Sequence, residues 1–282
     1  SNFNNIGNLF QNRGKYDKAI DYFNLSFKIR KKLEDKRGMA ANLNNIGLIY
    51  YNKGNFDKAL KYYNNSLELN NELNDILVSG YTLGNIGIIY SDKGDLNKSI
   101  EHHRKSYKIF EKLCDKSAMG ISLNNIGNVY CLKGEYDSSL NNYYLSLEIR
   151  KKLKDKRGLA VILNNIGKIY FETKDYSKSI KKLGKSIEIQ KEIGTEELET
   201  YILFTLAHKK LNKKCNVNIQ LYLNKTTHIE DYLNYYLFLL LDDKRYLETS
   251  FNQVEAKLKN MDSLFKETFI KFPIYVNIFN DY

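Results

Sequence analysis

The sequence predicts an all-α solenoid built from helix–turn–helix repeats. The string Asn-Asn-Ile-Gly, or a close variant, recurs every 40 residues, and its five copies begin at Asn4, Asn44, Gly84, Asn124 and Asn164. Within each period, apolar residues follow two successive amphipathic-helix patterns. The chain has a single proline, Pro273, which suits an almost wholly helical protein because proline interrupts helix interiors. A fixed period of this length indicates stacked helix pairs rather than one globular core.

The second repeat shows how the first helix of each pair, helix A, is specified. It is predicted over residues 35–53, because apolar residues recur there at steps of three and four. These positions form one stripe of an amphipathic helix, and they are Met39, Leu43, Ile46, Ile49 and Tyr50.

The second helix of the pair, helix B, follows after a tight turn. Gly54 supplies the left-handed residue that ends helix A, and Asn55 is the predicted N-cap of helix B over residues 56–73. The same turn glycine recurs in three other repeats, whereas Lys174 replaces it in the fifth. The equivalent glycines are Gly14, Gly94 and Gly134.

A further glycine lies inside helix A of every repeat. A glycine in a helix interior costs about 0.5–1 kcal/mol relative to alanine, so five repetitions imply a structural reason. We expect an aromatic residue or the backbone of helix B to approach closely at these positions. They are Gly7, Gly47, Gly87, Gly127 and Gly167.

The repeats are predicted to occupy residues 1–200, with units starting near residues 1, 36, 76, 116 and 156. The period then fades over residues 201–282. Residues 196–214 are compatible with a degenerate sixth helix A, and further helices are predicted over 229–241, 245–260 and 262–271. We interpret residues 201–282 as a degenerate repeat and a helical cap, because the last unit of a solenoid must cover its apolar face.

These residues resemble the tetratricopeptide repeat. The second repeat carries the pattern with Ile46, Gly47, Tyr50, Gly54, Phe56, Ala59, Tyr63 and Leu67, and most positions recur 40 residues away. The period is longer than the usual 34 residues. This longer form is similar to the repeats of kinesin light chains, of Leu-Gly-Asn-type adaptors and of bacterial peptide-sensing regulators. The resemblance implies a right-handed superhelix with a concave groove lined by A helices that binds proteins or peptides.

The resemblance also implies which side chains face that groove. They fall at steps of four, three and one along each helix A. The candidate groove residues are Asn4, Asn8, Asn44, Leu48, Tyr51, Asn52, Ile88, Asn124, Asn128, Asn164, Lys168 and Phe171.

The asparagines among these candidates are suited to hold a peptide backbone. A carboxamide both donates and accepts, so it can pair with a peptide group in both senses. A helices that stack about 10 Å apart would place one asparagine at about every third residue of an extended peptide. The first asparagine of each pair is the favoured groove residue, whereas the second, as in Asn45, is expected to be structural in about half of the repeats.

The chain carries no recognisable catalytic, cofactor or metal motif. Its four histidines have no second His or Cys at metal-ligand spacing, and neither a phosphate loop nor a nucleophile elbow occurs. His103 occupies the helix B position that Tyr63 and Tyr143 fill, so it is expected to be a packing residue. We therefore expect a protein that is not an enzyme and needs no cofactor or metal.

The net charge of +11 is concentrated in two basic runs, which leaves nucleic-acid binding open as a less favoured function. The runs lie at residues 30–37 and 150–157. Lys and Arg at these positions also complement the negative C-terminal dipole of helix B, and this interpretation is favoured.

Other features bear on the cellular setting. The three cysteines show no paired spacing and fit a reducing, cytoplasmic compartment, and no stretch is apolar enough for a membrane span.

The chain opens inside a repeat without a methionine, so we expect it to be part of a longer protein. The main alternative function is therefore a sensor arm of a larger kinase, phosphatase or ATPase. Self-association is a further alternative, and the groove is either open or occupied by the chain's own tail.

Overall fold

The computed structural model describes residues 2–226, 228–259, 261 and 263–282. Over this part of the chain all regular secondary structure is helical, which confirms the predicted all-α class. The helices are α1 (Asn2–Asn12), α2 (Tyr16–Lys32), α3 (Lys36–Asn52), α4 (Phe56–Glu72), α5 (Ile76–Asp92), α6 (Leu96–Lys112), α7 (Lys116–Leu132), α8 (Tyr136–Lys152), α9 (Lys156–Glu172), α10 (Tyr176–Ile193), α11 (Leu198–Lys210), α12 (Gln220–Leu223), α13 (Asp231–Leu241), α14 (Lys244–Lys259), α15 (Ser263–Phe269) and α16 (Pro273–Asp281).

The first ten helices form five consecutive A–B pairs, with odd-numbered A helices and even-numbered B helices. The boundaries predicted for the second repeat agree with α3 and α4 to within one residue. The chain divides into two compact units, unit 1 (Ser1–Ser122) and unit 2 (Leu123–Tyr282), and the division falls inside α7.

Side-chain caps fix where the helices begin. Asp35 accepts a hydrogen bond from the backbone N–H of Gly38 at 2.9 Å, and Asn55 accepts one from Lys58 at 3.1 Å. Such a cap satisfies an N–H group that has no partner within the helix. The same arrangement starts most of the later repeat helices, with Asp75, Asp95, Asp115, Asp155 and Asp175 as the caps.

Each A helix ends in a left-handed residue, as the sequence predicts. Gly54 has a φ of 71°, and the three equivalent glycines have similar values. Lys174 takes the same conformation with a φ of 63°, although a side chain there costs about 1–2 kcal/mol. The fifth repeat therefore keeps the turn geometry without its usual residue.

The buried core clusters of unit 1 extend from each repeat into the next. Helix α2 packs Ala19 and Phe23 against Ile46 and Ile49 of α3. One repeat later, Ala59 and Tyr63 of α4 pack in the same way against Ile86 and Ile89 of α5. A single helix pair could not bury these surfaces alone, so stability accumulates by stacking.

The glycine inside helix A lies against a side chain of helix B in every repeat. A Cβ built on Gly47 would lie 3.0 Å from the ring of Tyr63, and one on Gly127 would lie 2.6 Å from Tyr143. The residues that fill this position in the other repeats are Phe23, His103 and Leu183. The expected close approach is thereby confirmed, with leucine instead of an aromatic ring in the fifth repeat.

Residues 201–282 contain more helical structure than the sequence predicts. Helices α11, α13, α14 and α15 lie where helices are predicted, although residues 260 and 262 of the predicted ranges lie outside the described residues. Helices α12 and α16 were not predicted, and α16 begins at Pro273. Proline is favoured at the first position of a helix, where its missing N–H is not needed. The division into five repeats, a degenerate repeat and a cap stays a prediction.

The described residues provide neither a membrane-spanning helix nor a metal-binding cluster. None of their helices has both the length and the apolar character needed to cross a bilayer. They also contain no group of three or more His, Cys, Asp or Glu side chains that could hold a metal ion.

Two glycines of α5 give opposite predictions for substitution by alanine. A Cβ at Gly87 would lie 2.7 Å from the buried ring of His103, whereas at Gly84 its nearest neighbour is Ser106 Oγ at 3.6 Å. Gly84→Ala should stabilise the chain by about 0.5–1 kcal/mol, and Gly87→Ala should destabilise it by about 1–2 kcal/mol. Urea unfolding of both variants measures this, and equal effects would contradict the packing role of Gly87.

His103 predicts a pH dependence of stability. Its ring is 1% exposed, and burial followed by the nearby His102 lowers its pKa to about 4, below the ordinary 6.5. Because the folded pKa is lowered, the contribution of neutral His103 is complete above about pH 6.5 and falls toward pH 4. The loss is on the order of 3 kcal/mol.

The variant His103→Tyr isolates this effect, because Tyr63 fills the equivalent position. We expect the unfolding free energy of the parent to fall more steeply between pH 7 and pH 4 than that of the variant. The measurement is urea unfolding across that range, and parallel pH profiles would show that His103 does not titrate in this window.

Candidate functional site

One stripe of the A helices in unit 1 remains exposed. Helix α3 presents Asn45, Leu48 and Asn52, at steps of three and four along the helix, and α5 presents Tyr81, Asn85 and Ile88 in the same way. The two helices are joined by a hydrogen bond from Asn44 Nδ2 to Thr82 Oγ1 at 3.1 Å. We call these six exposed or half-buried residues the unit 1 face.

The structure gives Asn44 a role between helices rather than on this face. Its Nδ2 donates to Ser66 Oγ at 2.9 Å and to Thr82, and its Oδ1 accepts from Thr82 Oγ1 at 3.2 Å. Ser66 is fully buried and also donates to the carbonyl of Ala40. Asn44 therefore links α3 to α4 and α5, and its amide is already engaged.

The asparagines of neighbouring repeats also bond to each other. Asn45 Nδ2 donates to Asn4 Oδ1 at 3.3 Å, and Asn165 Nδ2 donates to Asn124 Oδ1 at 3.0 Å. Each bond joins the second asparagine of one repeat to the first asparagine of the repeat before it. These two bonds are intramolecular, one in unit 1 and one in unit 2.

Two predicted groove residues are buried. Asn164 is 3% exposed, and its Nδ2 donates to Glu199 of α11 at 3.3 Å. Phe171 is 7% exposed, and its ring packs at right angles to that of Tyr236 on α13, with centroids 5.9 Å apart. In this conformation neither side chain presents a surface to a partner, because α11 contacts Asn164 and α13 covers Phe171.

The other predicted residues lie at or near the surface. Asn4, Asn8 and Tyr51 are half-buried, whereas Asn52 and Asn128 are exposed. The pKa of the Tyr51 hydroxyl is raised by burial and then by the nearby Asp92. Asn128 Oδ1 accepts from Tyr143 and, at 3.3 Å, from Asn165.

Unit 2 contains a cavity of about 330 Å³ on the same stripe of its A helices. Helices α7, α8 and α9 contribute one part of its lining, and α13, α16 and the preceding Phe272 contribute the rest. The lining residues are Asn128, Cys131, Leu132, Tyr136, Tyr143, Asn165, Lys168, Glu172, Tyr232, Tyr236, Phe272, Pro273, Ile274 and Tyr275. In unit 2 the chain's own C-terminal segments therefore cover part of the A-helix face.

The cavity wall carries an ion pair and a hydrogen-bonded carboxylate. Lys168 Nζ lies 2.8 Å from Glu199 Oε1 and 4.4 Å from the centre of the Tyr232 ring. Burial disfavours the ammonium, but Glu199 and Tyr232 outweigh that effect and raise the pKa of Lys168. Glu172 accepts a hydrogen bond from the hydroxyl of the buried Tyr236.

Cys131 lies in the same wall but is not activated as a nucleophile. Burial is the main reason that the pKa of its thiol rises to about 11, so the thiol is protonated near neutral pH. A reactive cysteine needs the opposite shift.

Sequence reasoning missed the C-terminal half of this site. The aromatic richness of residues 232–282 indicates a packed segment, but it does not say which helix the rings cover. Glu199 was missed too, because it lies at the start of α11, outside the repeat pattern, whereas Glu172 falls at the step along helix A that the groove pattern predicts.

The basic runs are largely occupied by ion pairs. Lys36 pairs with Glu72 at 2.8 Å, and Arg37 pairs with Asp75 at 3.1 Å. The second run is similar, with Arg150 bonded to Asp155 at 2.5 Å and Lys156 to Glu192. Acidic residues near the ends of B helices neutralise much of this charge, which argues against a nucleic-acid interface there.

The family comparison supports the repeat assignment. A model of the tetratricopeptide repeat matches residues 1–72, 38–112 and 118–192, about two thirds of the chain. A comparison with curated proteins finds no match.

Several solved structures share the fold. BtubC (BKLC) from P. vanneervenii aligns with a TM-score of 0.63 and 16% identity, over 70% of this chain and 84% of that one. The apo form of RapI aligns with a TM-score of 0.62 and 17% identity, over 91% and 78%. A signal transduction ATPase with a tetratricopeptide repeat sensor, from Pyrococcus horikoshii, gives 0.60 and 16%, over 99% and 41%. At these identities the likeness concerns the fold.

The position of Asn44 predicts a stability effect. Asn44→Ala should lower the unfolding free energy by about 1–3 kcal/mol, because it removes hydrogen bonds to Ser66 and Thr82. Asn52→Ala, on the exposed stripe of the same helix, should change it by less than about 0.5 kcal/mol. Thermal and urea unfolding test both, and a neutral Asn44→Ala would show that these bonds do not hold the repeats together.

Proposed function

Because the chain belongs to the tetratricopeptide repeat family, whose arrays act as protein-interaction scaffolds, we propose that it is a non-catalytic scaffold that binds an extended peptide across the unit 1 face. The partner is a protein segment or a free peptide.

The observation that carries this proposal is the exposure of large apolar side chains among amides. Leu48 is 37% exposed and Tyr81 is 48% exposed, and both lie on the unit 1 face. Asn45 and Asn85 flank them on the same two helices. Apolar side chains supply contact area, and amides bond a peptide backbone in either sense. This combination suits an extended peptide with apolar side chains at intervals.

The proposal keeps an asparagine ladder but changes its members in unit 1. Asn44 is engaged between helices, so the second asparagine of the repeat is the better placed one. Asn45 Nδ2 donates a hydrogen bond to Asn4. The side-chain carbonyl oxygen of Asn45 is the atom proposed to accept a hydrogen bond from a peptide N–H. Asn85 occupies the equivalent position one repeat later, and Asn8 and Asn52 extend the amide-bearing surface.

A second candidate is the sensor arm of a larger signalling enzyme. It is favoured by the match of 99% of this chain to a part of an ATPase that contains a tetratricopeptide repeat sensor. The two candidates are compatible, since a sensor arm also binds a partner. The full-length gene product distinguishes them, because an effector domain in the same chain supports the sensor function.

The test is a peptide-display selection on the parent chain, followed by affinity measurements on the double variant Leu48→Ser, Tyr81→Ser. We expect the variant to bind selected peptides at least about tenfold more weakly, because it loses two apolar contacts of about 1 kcal/mol each. The matched control is Leu33→Ser in unit 1, which removes a 73% exposed leucine outside this face.

Circular dichroism and unfolding curves should first show that all three proteins are folded. Peptides that bind the parent and the double variant equally would exclude the unit 1 face as their site. A loss of affinity in Leu33→Ser as large as in the double variant would also argue against a specific face.

A further inference from the structure

The cavity of unit 2 differs chemically from the unit 1 face. Five tyrosines and one phenylalanine line it, together with charged and amide side chains. Its volume of about 330 Å³ lies at the lower end of the range for small-molecule pockets. Asn128 is exposed and Leu132, Lys168 and Glu172 are half-buried, so the cavity opens to solvent along α7 and α9.

The charges around the cavity do not balance. Glu199 neutralises Lys168 at 2.8 Å, which leaves the carboxylate of Glu172 as the remaining charge in the wall. Tyr236 donates one hydrogen bond to Glu172 but brings no positive charge.

The surrounding helices add a further excess of negative charge. The charged groups that act electrostatically on the hydroxyl of Tyr275, a lining residue, include Asp231, Glu230 and Lys168. Lys257 of α14 lies 3.0 Å from Asp231 and 3.6 Å from Glu230, so one ammonium faces two carboxylates. The named charged groups around the cavity thus comprise two lysines and four acids, although the whole chain has a charge of +11; they are Lys168, Lys257, Glu172, Glu199, Glu230 and Asp231.

Lys168 shows that the aromatic walls can hold a cation. Its ammonium lies 4.4 Å from the centre of the Tyr232 ring, within the distance of about 6 Å at which a ring face attracts a positive charge. Tyr136 and Tyr275 line the same cavity, and Phe272 adds a ring without a hydroxyl. A guest therefore meets aromatic surface and the carboxylate of Glu172 in one partly open cavity.

We propose that this cavity binds an arginine side chain of a partner peptide, with the guanidinium against the tyrosine rings and hydrogen-bonded to Glu172. A guanidinium is planar, stacks on aromatic rings and donates to a carboxylate through two N–H groups. The proposal rests on the proposed function only in taking a peptide as the natural carrier of the arginine. It adds a charged specificity site to a scaffold whose unit 1 face is apolar and amide-rich.

The test uses small probes, so it does not depend on peptide binding by unit 1. The probe is N-acetyl-arginine N-methylamide, and the comparison compounds are its citrulline and lysine counterparts. Each is titrated into the 15N-labelled chain while chemical shifts are followed. We expect the arginine probe to bind at least tenfold more tightly than neutral citrulline and more tightly than lysine, with shifts concentrated in α7, α9 and residues 272–275.

Two variants locate the effect. Glu172→Gln keeps an acceptor for Tyr236, so the fold should persist, and it should weaken arginine binding about tenfold through loss of the charge. The matched control Glu188→Gln, at an exposed position on α10, should bind the probe like the parent. The double variant of the unit 1 face should also bind it normally, so failure of the proposed function would leave this result intact.

Three outcomes would overturn the proposal. They are equal binding of arginine and citrulline, arginine binding unaffected by Glu172→Gln, and an absence of shifts around the cavity with every probe. A lysine probe that binds as tightly as the arginine probe would overturn the assignment to a guanidinium.

Discussion

The close contact between helix B and the glycine inside helix A is the constraint on which each repeat depends. At Gly127 the ring of Tyr143 occupies the space that a Cβ would need. This approach also lets Ser139 Oγ reach the carbonyl of Gly127 at 2.7 Å, so a polar bond and an aromatic contact fix the same two helices. Ser99 and Ser179 repeat that bond in the third and fifth repeats. Because these contacts fix one face of helix A, the helix has little freedom to rotate about its own axis.

That fixed rotation decides which asparagine of the second repeat lies between helices. Neighbouring residues of a helix project about 100° apart, so Asn44 and Asn45 cannot serve the same surface. Asn44 points between helices, where Ser66 and Thr82 satisfy its amide, and Asn45 lies toward the exposed stripe. A buried amide without such partners would be costly, so these bonds are part of the packing. The recognition surface thus consists of the side chains that are not needed for the hydrogen bonds and packing between helices.

This distinction explains how far the sequence could predict the structure. The end of helix A and the start of helix B followed from Gly54 and Asn55, because left-handed turns and caps are local signals. The sequence could not show which of two adjacent asparagines faces a partner, because both recur with the same period. Only the direction of helix B distinguishes them. The cover over Phe171 was equally inaccessible, because Tyr236 lies 65 residues further along the chain and outside the repeat pattern.

The same stripe of helix A carries different chemistry in the two units. In unit 1, Leu48 and Asn52 are exposed and uncharged, whereas the equivalent positions of α9 in unit 2 hold Lys168 and Glu172. Tyrosines from α13 and α16 exclude part of the solvent around those charges, and lower solvent access strengthens electrostatic discrimination. A repeat scaffold can therefore keep one packing rule and vary its binding chemistry, because the positions that set the rule and those that meet a partner lie on different faces of one helix.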